Sequence, residues 1–172
     1  MMSPSVRATL KAAGFLAAYV FVAIVLQRGP FFHRSSLWLP AGLAVSALWL
    51  LGWRYWPVIL LGTLVQRMWS GQPLHHSVPT AIGNAVEALL AFAILHRLRF
   101  RHDFRRLRDG LALLAAALVA PVASAVIGRT SYIGMHGDFS VFLGWSKWWR
   151  TNAVGILVVA SFLLAWAGTP RF

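Results

Sequence analysis

The sequence predicts an all-α protein, a polytopic transmembrane helical bundle of about six spans with both termini cytoplasmic. Three observations predict it. Of the 172 residues, 59% are apolar and only 12% charged, the latter about half the share of a soluble domain. The apolar residues fall into runs separated by charges and by Gly/Pro punctuation. The basic residues are unequally divided between alternate loops, as the positive-inside rule requires. Mean hydropathy is +0.67. A soluble interior of this size cannot hide that much apolar surface, whereas a bilayer solvates the outside of each helix.

Composition also excludes chemistry. There is no cysteine, so disulfides, thiolate metal sites and cysteine catalysis are out. Net charge is +12 against four acids, Glu87, Asp103, Asp109 and Asp138. Basic residues between apolar runs set topology and touch anionic lipid, so no nucleic-acid partner is expected.

The elements follow in order. Arg7 and Lys11 precede the run from Ala12 to Leu26, which ends in Gln27-Arg28-Gly29-Pro30 rather than in a small-residue cleavage site. It reads as a retained first span, Thr9 to Leu26. A loop, Gln27 to Ser36, leads to a second span, Leu37 to Leu51. The turn Gly52-Trp53-Arg54-Tyr55 opens a third, Trp56 to Val65 or on to Trp69, with the shortest apolar core of the set. The loop Ser70 to Pro79 precedes a fourth span, Thr80 to Leu95. The strongly basic link His96 to Asp109 joins it to a fifth, Gly110 to Ile127. A Gly-rich loop, Gly128 to Gly144, precedes the sixth, Trp148 to Trp166. Trp38, Trp53, Trp56, Trp69, Trp145, Trp148, Trp149 and Trp166 lie at predicted ends, as an aromatic belt does; Trp49 falls inside a run.

With the N-terminus inside, about ten cations lie on the cytoplasmic side and about six outside. Most of the bias comes from the basic link, with Arg97, Arg99, Arg101, Arg105, Arg106 and Arg108. Leu98, Phe100, Phe104 and Leu107 approximate helical spacing there. The expectation is a short amphipathic helix on the inner leaflet, its arginines reaching lipid headgroups. The alternative is a docking site for a cytoplasmic partner.

Glu87 is the single acid inside a predicted span, and a carboxylate in hydrocarbon must be paired, protonated or facing a wet cavity. Asn84 lies one turn earlier on the same face. Gly83, Ala88 and Ala91 keep that face small enough for a second helix to approach closely. Counting at 1.5 Å per residue from Thr80 and from Ser146 puts Glu87 and Asn152 about 10 Å and 9 Å below the outer surface. Arg129 and Arg150 lie slightly above them, and Trp38 and Pro40 open the second span on that side. Two readings stand together. One is a ligand pocket open to the periplasm with Glu87 at its floor. The other is an interhelical hydrogen bond from Glu87 to Asn152, Arg129 or Arg150 that fixes packing.

Other patterns carry less. His75-His76 lack a third metal ligand, so no metal site is expected. His33, His96, His102 and His136 have no spacing for haem ligation. Gly128, Gly134, Gly137 and Gly144 are not followed by Lys-Ser/Thr and form no phosphate loop. No Ser has a His and an acid suited to nucleophilic catalysis. Gly42, Gly52 and Gly62 read as close helix packing. No cofactor is expected.

Several motifs occur in a familiar order. Trp38-Leu39-Pro40-Ala41-Gly42-Leu43-Ala44 is followed by Leu51-Gly52-Trp53-Arg54-Tyr55-Trp56-Pro57, then by Leu61-Gly62. Ile82-Gly83-Asn84-Ala85-Val86-Glu87-Ala88-Leu89-Leu90 comes next. The basic stretch ending Arg108-Asp109, Ala125-Val126-Ile127-Gly128, and Trp148-Trp149 through Gly155-Ile156-Leu157-Val158-Val159 complete the series. This order resembles the first type of bacterial membrane-associated sensor domain, in which Gly-Asn-x-x-Glu-Ala is a signature.

The resemblance implies one non-catalytic sensory input domain over 1–172 in the bacterial inner membrane. Such domains usually precede a histidine kinase or an enzyme that makes or breaks cyclic-di-GMP. The family usually has about eight spans, so this chain corresponds to its N-terminal part, a short form or a truncation, with no output domain. The family carries an acid where Asn152 stands and a Pro where Ser161 stands. The expected partners are the lipid bilayer, a second copy in a homodimer, a cytoplasmic signalling output protein and an unknown small ligand. The rival function is a small-molecule transporter, or a subunit of one, that uses the intramembrane carboxylate.

Overall fold

The computed structural model describes residues 3–26, 37–130 and 138–168, which are helical apart from short links, with no strand among them. Helix α1 (Pro4–Phe21) continues into a π turn, Val22–Leu26. Helix α2 (Leu39–Leu51) meets α3 (Trp56–Trp69) through a 3₁₀ turn, Trp53–Tyr55. Helices α4 (Leu74–Arg97) and α5 (Leu107–Thr130) follow. Helix α6 (Asp138–Gly155) passes through a second π turn, Ile156–Ala160, into α7 (Ser161–Gly168). Four stretches are long and apolar enough to cross a membrane: Ser5–Val25, Leu74–Arg97, Leu107–Arg129 and Leu143–Gly168. At 13 and 14 residues, α2 and α3 extend only about 20 Å.

Local chemistry sets the boundaries. Ser3 caps α1, its hydroxyl accepting the Val6 N–H at 3.3 Å, and proline in the first turn opens α1, α2 and α3, where a missing N–H costs nothing. Gly52 ends α2 at φ 112°, a conformation that L side chains rarely adopt. It has open space around it, so it serves the turn and not close packing. Gly42 and Gly62 do mark close approaches, to Gly155 of α6 and to the Tyr19 ring of α1.

Where α4 meets α5, mostly small residues face inward. On α5 the buried positions include Ala112, Ala116, Ala117, Ala120, Ser124 and Ala125, while Leu111, Leu114, Leu118, Val119, Val122 and Val126 point outward. On α4, Ala81, Gly83, Asn84, Ala85, Glu87, Ala88 and Ala91 are buried and Val78 and Ile82 exposed. Small residues let helix backbones approach, and large apolar ones meet a solvent that accepts them. A Cβ on Gly83 would stand 3.1 Å from the Ser124 carbonyl oxygen, which shows how closely α4 and α5 touch.

Helix α1 begins at Pro4 rather than Thr9, and α5 spans Leu107–Thr130 rather than Gly110 to Ile127; three further differences bear on the site. Helix α4 starts at Leu74, inside the stretch read as the loop Ser70 to Pro79. Pro79 lies in its second turn; around it the Ser77 hydroxyl donates to the Pro73 carbonyl at 2.9 Å and the Thr80 hydroxyl to that of His76 at 2.8 Å. Glu87 therefore lies about 20 Å along α4 rather than about 10 Å. Helix α6 begins at Asp138, within the stretch read as the loop Gly128 to Gly144. The loop Gln27 to Ser36, with Arg28, His33 and Arg34, lies outside the described residues, as do His136 and Arg171.

The basic link is the third difference. It forms no amphipathic helix. Helix α4 closes with paired bonds, Phe100 N–H to the Leu95 carbonyl at 2.9 Å and Arg99 N–H to that of His96 at 3.1 Å, the Schellman arrangement. Arg99 occupies the left-handed position at φ 53° that glycine usually fills, at a cost of about 1–2 kcal/mol. This turn drives Phe100 inward, where it joins the core with Leu95, Leu113 and Leu164, so it faces protein and not lipid. Leu98 and Leu107 remain exposed. Asp109, fully buried, holds the link by accepting the Arg101 N–H at 3.0 Å.

Candidate functional site

The close contact of α4 with α5 sets Glu87 against Ser124, and α6 brings Asn152 to the same point. The Ser124 hydroxyl bonds to Glu87 Oε2. The Asn152 amide donates to the same oxygen at 2.7 Å and lies 3.4 Å from Ser124 Oγ. One turn away on α4, the Asn84 amide donates to Thr63 Oγ1 of α3 at 3.3 Å. Thr63 in turn shares a hydrogen bond of 3.0 Å with the Tyr19 hydroxyl of α1. None of the six is more than 6% exposed. Two buried polar clusters, one turn apart on α4, thus reach four other helices, α1 and α3 from Asn84 and α5 and α6 from Glu87.

The Glu87 end offers two proton placements. Ser124 Oγ also lies 3.1 Å from the Pro121 carbonyl oxygen, and a hydroxyl has one proton to give. With Glu87 ionised, Ser124 donates to the carboxylate. With Glu87 protonated, the carboxyl donates to Ser124, whose proton turns to Pro121. The same heavy-atom positions serve both states. At the other end the carbonyl oxygens of Asn84 and of Gln66, one turn from Thr63, are buried without a hydrogen-bond partner. Two unsatisfied acceptors in an apolar bundle carry a desolvation cost of about 1–3 kcal/mol each.

Of the residues singled out from sequence, Glu87, Asn84 and Asn152 belong to these clusters. Arg129 packs over Gly144 of α6, and Arg150 is exposed; the hydrogen-bonding partner of Glu87 on α6 is Asn152. Pro40 is fully buried. Trp38 ties the start of α2 to α6 through its backbone, its N–H donating to the Thr151 carbonyl at 3.0 Å and its own carbonyl lying against Gly155. Among the described residues no group of three His, Cys, Asp or Glu is arranged to hold a metal. His75 and His76 stand in the first turn of α4 with ring centres 4.2 Å apart.

Tyr19, Thr63 and Ser124 were not picked out by sequence reading. Each is a mildly polar residue inside an apolar run, which membrane helices tolerate widely. The available signal was position: Thr63 follows Gly62, and Ser124 sits among alanines three residues after Pro121, both marks of close helix contact.

The MASE1 family model matches residues 8–171. The chain belongs to the MASE1 family. MASE1 comprises membrane-associated sensor domains, a sensory and not a catalytic family, and the four long apolar stretches accord with a membrane location. No curated protein and no solved structure matches the chain. Asn152 presents a neutral amide that donates to Glu87. Ser161 directly follows the π turn Ile156–Ala160.

Proposed function

We propose that this MASE1 chain is a non-catalytic, multi-pass input module of the bacterial inner membrane. Six helical passes, with both termini and the basic link cytoplasmic, give the topology. Its output is a cytoplasmic kinase or cyclic-di-GMP enzyme, reached as one domain within a homodimer. The observation that carries the reading is the buried cluster at Glu87, which ties α4 to α5 and α6, with a second cluster one turn away at Asn84 that ties α4 to α3 and α1. A small ligand entering from the periplasm, past Arg129, Arg150, Trp38 and Pro40, would compete for Glu87, Asn84 and Asn152. Because Glu87 is only 2% exposed, access requires the helices to part. That provides the second arrangement whose population a ligand shifts. The arginines of the link contact anionic lipid headgroups.

The test is replacement of Glu87 by Gln and by Ala in a full signalling MASE1 homologue, with output read over a panel of stimuli. Altered basal or stimulated output is expected from both. Unchanged output under every stimulus removes Glu87 from the mechanism.

The two proton placements around Ser124 favour one rival, a proton-coupled small-molecule transporter. Uptake by proteoliposomes under an imposed proton gradient, abolished by Glu87→Gln, would establish it in place of the sensory reading.

A further inference from the structure

We infer that the crevice between the end of α2 and the α4–α5 link is a binding site for a phosphate ester that carries an apolar portion. The crevice has a volume of about 670 Å³, and its lining includes Arg97, Arg99, Arg106 and Arg108 over an aromatic floor of Trp49 and Phe100. Sites for small organic ligands fall in this size range. Trp49 and Phe100 meet edge to face with ring centres 5.2 Å apart. The inference rests on this geometry and not on the sensory reading.

Charge points to the ligand class. The one ion pair among the described residues, Arg101 with Asp103 at 3.1 Å, leaves these four guanidinium groups without a carboxylate. Asp109 is turned away to hold the Arg101 N–H. Four like charges around one hollow repel each other until an anion enters. Planar guanidinium groups grip phosphate oxygens in pairs, and the half-buried Trp49 ring suits whatever apolar part the ester bears. The number of cations in the link is accounted for by topology, but their convergence over aromatic rings is not.

Arg99 supplies an independent argument. It holds a left-handed backbone at φ 53°, in the position of a helix-ending turn where glycine is relaxed. Strain of this kind gathers at functional positions. A guanidinium is kept there against the preference of the backbone, and it lines the crevice. Arg105, in the same link and equally exposed, does not line it.

The ester has two sources, an anionic phospholipid of the adjoining leaflet or a soluble phosphorylated molecule. Full-length protein in phosphatidylcholine nanodiscs containing phosphatidylglycerol, analysed for retained lipid by native mass spectrometry, tests the first. Titration with inorganic pyrophosphate in pure phosphatidylcholine tests the second. At least one probe is expected to bind saturably, with phosphatidylglycerol enriched about fivefold over phosphatidylcholine if the source is lipid, or with pyrophosphate alone if it is soluble. Arg99→Gly should abolish most of that binding while the thermal midpoint stays level or rises. Arg105→Gln should leave it intact, and Arg108→Gln provides a second reading of the crevice. Binding by neither probe, or equal loss with Arg105→Gln and with the crevice variants, would overturn the site in favour of diffuse attraction.

Discussion

Asn152 Nδ2 of α6 stands 2.7 Å from Glu87 Oε2 of α4, joining residues 65 positions apart in the chain. The carboxylate is thus met by a neutral donor and by the Ser124 hydroxyl, not by an arginine. A neutral partner leaves the ionised and the protonated forms both satisfied, whereas a salt bridge would fix the charge.

The first prediction concerns coupling within this trio. Glu87→Ala takes away the nearer acceptor of the Asn152 amide, while Ser124 can turn to the Pro121 carbonyl, and should cost about 1–3 kcal/mol. Glu87→Gln keeps an acceptor and should cost less. A double-mutant cycle of Glu87→Ala with Ser124→Ala, read by unfolding in detergent micelles, should give an interaction energy of about 0.5–3 kcal/mol. Simple additivity would mean the hydrogen bond contributes nothing.

The Tyr19 arm can be separated from it. Tyr19→Phe removes one hydroxyl and leaves Thr63 bonded to Asn84, so a loss of about 1 kcal/mol is expected. The same unfolding assay checks this. Paired with Glu87→Ala, the two effects should add, because no hydrogen bond joins the arms directly.

Close packing at Gly42 gives a third expectation. A Cβ there would collide with the Gly155 carbonyl oxygen and the Ala160 N–H, backbone atoms that cannot swing aside. Gly42→Val should destabilise by about 1–3 kcal/mol or more. Gly14, with open space around it, should accept alanine without loss. Yields of folded protein by size-exclusion chromatography would rank them.

Topology can be read directly because the chain has no cysteine. Single cysteines placed at Arg105 and at Lys147, both exposed, should react with a membrane-impermeant maleimide from opposite sides. Arg105→Cys should label only in inverted vesicles and Lys147→Cys in intact spheroplasts. Labelling of both from one side would refute the orientation proposed for the bundle.

Much of this was legible before the structure. Hydropathy located the helices, and the lone acid Glu87 led to Asn84 and Asn152, because an intramembrane carboxylate needs partners at its own level. The level held even though α4 proved longer, since α6 gained residues on the same side. Ser124, Thr63 and Tyr19 were not legible: which small polar side chains meet depends on how helices rotate about their axes, and apolar runs without a marked stripe do not encode that. The basic link was misread because spacing suited an amphipathic helix, while the left-handed turn at Arg99, unfavourable for arginine, redirected Phe100 into the core.

The brevity of α3 has a consequence for the surrounding lipid. Its exposed wall of Leu61, Val65, Met68 and Trp69 belongs to a helix only about 21 Å tall, against the ~30 Å hydrocarbon thickness that the longer helices can match. In the six-pass topology proposed above, acyl chains beside it must shorten or splay, which would dimple the local bilayer on one flank of the protein. Any rearrangement that tilts or lifts α3 changes that dimple, and chain length becomes a mechanical load on the bundle. Stability in nanodiscs of stepwise longer phosphatidylcholines should therefore pass through a maximum at short acyl chains and fall beyond it.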